Sequence, residues 1–127
     1  MKTIPSGLKN LFLVHFIVAL VLGLVLLVIP GVWRSLIGQG DWVQVDLYYR
    51  LIGAAMLGYG ASSWLAYRAT DFSKIEILLP TEVVWCALGT VVMVYGLLTR
   101  QFPSFGWVNA ILLAGFGAGF AYYAWRK

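Results

Sequence analysis

Three ionisable side chains fall within long apolar stretches of this chain: His15, Arg50 and Glu82. Charge at membrane depth is costly, so each is a functional candidate by default. His15 stands about 9 Å into the first apolar run at 1.5 Å per residue. Its possible chemistry is proton relay, hydrogen bonding to a quinone, or axial ligation of haem; its structural reading is a neutral imidazole bonded to a neighbouring helix. Haem would need a second ligand from a partner, because the chain holds one histidine. Glu82 lies about 10 Å into a third helix that starts at Ile75, level with His15. If that helix instead starts at Pro80, Glu82 sits in the first turn, where its charge suits the helix dipole. Equal depth predicts one polar cluster of His15 and Glu82. Ser62, Ser63 and Tyr122 complete it as a candidate pocket for a lipophilic ligand. Arg50, beside Tyr48 and Tyr49, either snorkels to headgroups while pairing with Asp46 at i,i+4 or forms an outer polar site with Asn109.

No catalytic motif accompanies these residues. The sequence has no Gly-rich phosphate loop with a lysine, no H-E-x-x-H and no Ser-His-Asp set. It implies no metal site and no cofactor. The single cysteine, Cys86, cannot form an internal disulfide or a C-x-x-C redox pair, and reads as a small apolar packing residue.

The elements that must carry these residues follow from composition. Of 127 residues, 61% are hydrophobic and 11% charged, with mean hydropathy +0.86. A soluble domain carries about 25% charged residues to cover itself; lipid removes that need. The expected fold is all-α, a bundle of four transmembrane helices spanning about residues 8–30, 46–67, 75–99 and 104–125, each near the ~20 residues that cross a bilayer. Pro30-Gly31 ends the first span, and Gly38-Gln39-Gly40-Asp41 marks the turn of the longest connection. Between them, Val32–Ile37 reads as a short interfacial helix. The first apolar run is longer than the ~7–15 residues of a signal peptide and lacks a cleavage site, so it reads as an uncleaved helix.

Charge sets the expected topology. Lys2, Lys9, Arg68, Lys74, Arg126 and Lys127 fall on one side of the four-span map, and Arg34, Arg50 and Arg100 on the other. The positive-inside rule then places both termini in the cytoplasm. Aromatics flank both interfaces: Trp33, Trp42, Tyr48, Tyr49, Phe105 and Trp107 outside, and Trp64, Tyr67, Phe72, Tyr122, Tyr123 and Trp125 inside. The basic residues meet phospholipid headgroups rather than nucleic acid.

Small residues recur at helical spacing: Ala54, Gly58 and Ser62 on the second span, and Ala110, Ala114 and Ala118 on the fourth. Such ridges predict close helix packing. Leu57-Gly58-Tyr59-Gly60-Ala61 resembles Ala114-Gly115-Phe116-Gly117-Ala118, which suits either two parallel hairpins or a shared taste for small residues and aromatics.

The hexapeptide Tyr49-Arg50-Leu51-Ile52-Gly53-Ala54, in a layout of four short-looped helices, resembles small bacterial four-helix membrane families of the DoxX-like kind. The resemblance implies a compact bundle in a prokaryotic plasma membrane and an accessory role, and transfers no catalytic residue. The leading expectation is therefore a non-catalytic accessory subunit that packs against larger membrane partners or against itself. The alternatives are a binder or modifier of a quinone or lipid, and an oligomeric channel or small transporter.

Overall fold

The apolar runs become helices because, in lipid, backbone N–H and C=O groups must be satisfied within the segment. The structure, a computed structural model, describes residues 2–41 and 43–126. Trp42 and Lys127, which enter the sequence reading as an interfacial aromatic and a cation, lie outside the described residues. In chain order the helices are α1 (Ser6–Val28), α2 (Pro30–Leu36), α3 (Asp46–Arg68), α4 (Leu78–Leu98) and α5 (Gly106–Trp125). Short 3-10 turns at Val43–Val45 and Phe72–Lys74 lead into α3 and towards α4.

Three of these helices, α1, α4 and α5, are long and apolar enough to cross a membrane. The expectation of four such spans is met only in part. α3 matches them in length at 23 residues, but Asp46, Arg50, Arg68 and its Gly, Ser and Tyr residues dilute its hydropathy.

Local chemistry sets the boundaries. Pro30 lacks an N–H and cannot continue α1, yet it is well placed at the first position of α2. α2 stops at Gly38, whose φ of 77° suits glycine. There Gln39 N–H bonds to Arg34 O at 2.8 Å and Gly38 N–H to Ser35 O at 3.3 Å, the paired bonds of a Schellman cap. α4 starts at neither of the positions expected from sequence. Ile75–Ile77 forms a turn after the 3-10 segment, and the helix begins at Leu78 with Pro80 in its first turn, where no N–H is needed. α4 ends in a second Schellman cap: Arg100 N–H bonds to Leu97 O at 3.2 Å and Gln101 N–H to Gly96 O at 2.8 Å. Here the left-handed position, at φ 57°, holds Arg100.

The described chain divides into two compact units, Phe12–Arg68 and the remainder, with the division falling inside α1 after Leu11. Within Phe12–Arg68, α1 and α3 approach backbone to backbone. A Cβ on Gly53 would lie 2.7 Å from both Gly23 O and Leu27 N. One turn pair further along, a Cβ on Gly60 would meet Ala19 Cβ at 3.3 Å. In the other unit α4 packs along α5. Leu113 sits over Gly89, and Leu97 and Met93 sit over Gly106. Lys2 joins this unit through Phe72 N–H to its carbonyl at 3.0 Å and through its ammonium 4.8 Å above the Phe72 ring.

Candidate functional site

The α1–α3 pair brings two of the expected polar residues together. His15 Nδ1 and Ser63 Oγ are 2.8 Å apart and both buried. His15 occupies the stripe Leu8, Phe12, His15, Ala19 and Leu26, the buried face of α1. Ser63 sits on the buried face of α3 with Gly53, Gly60 and Ala66. Sequence placement on two facing stripes therefore produces an interhelical hydrogen bond, which suits an imidazole in an apolar interior. Ser63 is fully enclosed, which leaves no room for a substrate at its hydroxyl.

Ser62 Oγ donates to Tyr59 O at 2.8 Å, within its own helix. Glu82 is 2% exposed on α4, on the same buried face as Leu79 and Cys86. Tyr122 is exposed, edge-on to Tyr123 at 5.0 Å, with the Arg126 guanidinium 5.4 Å from its ring.

A second polar set lies at the α1–α3 connection, and here the sequence pairing needs correction. Asp46 takes Arg34, not Arg50, as its partner. Arg34 Nε donates to Asp46 Oδ1, Nη2 to Asp46 Oδ2 at 3.3 Å, and Nη1 to Gly40 O. Arg50 turns back instead and donates from Nη1 to Leu27 O at 2.5 Å. The physical reason is at Pro30: α1 ends there with unsatisfied carbonyls, and a guanidinium is a strong donor for them. Asn109 is half-buried in the first turn of α5. Tyr49 OH donates to Gln39 Oε1 at 2.7 Å. The Arg34–Asp46 pair was missed, although a signal existed: an arginine between Val32 and Ile37 demands an acid, and Asp41 and Asp46 are the nearest.

The expected packing ridges also have a definite placement. Ala54 and Gly58 are exposed, and a Cβ on Gly58 would meet nothing within 4 Å. The close crossing of α3 falls on Gly53 and Gly60. Ala114 and Ala118 are exposed along an apolar cleft of about 340 Å³ between α4 and α5, which Val83, Cys86, Thr90 and Gly117 also line. None of His15, Ser62, Ser63, Glu82 or Tyr122 lines this cleft. Among the described residues, no group of His, Cys, Asp and Glu is placed to hold a metal ion. No family model, curated protein or solved structure matches the chain.

Proposed function

We propose that this chain is a non-catalytic subunit of a membrane assembly and that α3 offers the face on which a partner helix packs. The observation that carries the reading is the outward small-residue face of α3. Ala54, Gly58 and Ala61 are exposed at helical spacing, flanked by exposed Leu51 and Leu65. Small residues let helix backbones approach closely, whereas lipid gains nothing from them. α3 is also the long helix whose own hydropathy falls short of a self-sufficient span, and a neighbour helix would shield its polar groups. The polar side chains of this unit support the reading from the other side. Arg34, Asp46, Tyr49, Arg50 and Ser63 make contacts between segments of the unit, and Ser62 bonds within α3.

In this reading α3 is the fourth span, and both termini lie in the cytoplasm. Native-gel migration of gently solubilised membranes tests the assembly. The chain should run with a larger species, and a lone species near its own 14.1 kDa plus detergent would oppose the proposal. A C-terminal alkaline phosphatase fusion tests the orientation. It should stay inactive, and strong activity would reverse the map.

A second reading, a binder of a lipophilic molecule, draws support from the apolar α4–α5 cleft rather than from the His15 region. Native mass spectrometry of protein extracted in mild detergent is its test. A retained small lipophilic mass that Ala118→Phe abolishes would favour it; its absence would remove it.

A further inference from the structure

The connection between α1 and α3 is built inside out. On α2, Pro30 and Arg34 face inward, with Arg34 only 7% exposed. Val32 and Leu36 face outward, 51% and 69% exposed. A surface helix in water has the opposite arrangement, with its charge outside and its apolar face against the core. The polar groups here are also spent internally. Arg34 is taken by Asp46 and Gly40 O, the Ser35 hydroxyl returns to Gly31 O at 3.0 Å, and Gln39 accepts from Tyr49. The Gly38 cap closes the Arg34 and Ser35 carbonyls of α2. Internal satisfaction of these groups with apolar side chains outward is what hydrocarbon surroundings require.

We infer that α2 is immersed in the acyl chains of the bilayer, its outward face Val32 and Leu36 in contact with lipid, and is not part of an aqueous loop. The surface is continuous with exposed apolar residues on either side: Val28 and Ile29 precede it, and Val43 and Leu47 follow. Water begins only at the turn, where Asp41 and Gln44 are exposed. The Arg34–Asp46 pair is the latch that allows this placement, because it takes one charge of each sign out of contact with lipid. The inference rests on membrane insertion of α1, and not on the accessory role.

Fluorescence quenching at single sites tests it in phosphatidylcholine vesicles. Bimane is attached to Val32→Cys, Leu36→Cys, Asp41→Cys and Val21→Cys. The wild-type chain serves as blank, since its one cysteine is fully buried. Val21 is 55% exposed in mid-α1 and reports the membrane interior. Asp41 reports water. The labels at positions 32 and 36 should be quenched by brominated phosphatidylcholine as strongly as at position 21, and by aqueous iodide several-fold less than at position 41. Iodide quenching equal to that at position 41, with position 21 protected, would overturn the inference. Protection from both quenchers would overturn it too, by showing that protein covers α2. Iodide quenching at position 21 would instead remove the membrane insertion on which it rests. Arg34→Gln adds a check on the latch: iodide quenching at position 36 should rise while position 21 stays protected. No change there would show that α2 holds its place without the pair.

Discussion

The two helix pairs, α1 with α3 and α4 with α5, use glycine in different ways. Between α1 and α3 the neighbours of Gly53 are backbone atoms of the facing helix, at 2.7 Å from where a Cβ would be. Between α4 and α5 the neighbours of Gly89 and Gly106 are the ends of Leu113, Leu97 and Met93 side chains, at 3.1 and 3.2 Å. Backbone cannot retreat without moving a whole helix, whereas a leucine or methionine end can change rotamer. The first pair is also tied by polar contacts: His15 with Ser63, and Arg50 with the α1 carboxyl end. The second leaves an apolar cleft. The same residue type thus marks a rigid contact at Gly53 and adaptable ones at Gly89 and Gly106.

The largest expected effect breaks the rigid crossing. Gly53→Ala should cost about 3 kcal/mol, at the upper end for overpacking, read as a lowered unfolding transition in detergent. A loss below about 1 kcal/mol would show that the helices separate cheaply and that the crossing is not rigid. Next is the polar tie. Ser63→Ala removes a buried interhelical bond and should cost about 1 kcal/mol, within the range for such bonds in membranes. An unchanged transition would mean that His15 is satisfied without Ser63. The two Schellman caps give a smaller effect of opposite sign. Gly38 is relaxed at φ 77°, whereas Arg100 holds a left-handed φ of 57°. Arg100→Gly should therefore raise stability by about 0.5–1 kcal/mol, since relief of the left-handed strain exceeds the added chain entropy. Destabilisation would indicate that the Arg100 side chain holds more than its backbone costs. Smallest is the adaptable contact: Gly89→Ala should change stability by less than about 0.5 kcal/mol, because Leu113 can turn aside. A loss as large as that of Gly53→Ala would erase the distinction between the pairs.

The helical, membrane-seeking character of the chain was legible in its composition, and Pro30, Gly38 and Asp46 announced the boundaries around α2 and the start of α3. What was not legible was which face turns inward. α1, α4 and α5 are apolar around their whole circumference, so hydrophobic periodicity carries no facing signal. The signal that remains is small and polar residues, and it works on α1, where His15 and Ala19 share the buried stripe. On α3 it is ambiguous. Gly53 and Gly60 form one small-residue set and Ala54 and Gly58 another, a single residue or about 100° round the helix away. Sequence chose the second as a packing ridge, while the α1 backbone lies against the first. The start of α4 was missed because Pro80 suits any position in a first turn, and what fixes the helix start at Leu78 is the turn through Ile75–Ile77. The i,i+4 spacing points Asp46 to Arg50, and only the fold of α2 brings Arg34 to it.

That divided α3 surface also gives the most direct test of the proposed role. Gly58→Leu changes only the outward face, where nothing lies within 4 Å of the added Cβ. The measurement is native-gel migration of the Gly58→Leu chain from solubilised membranes, beside its unfolding transition after purification. The account predicts a wild-type transition together with loss of the larger species. A Gly58→Leu chain that still runs with that species would contradict the assignment of this face to a partner.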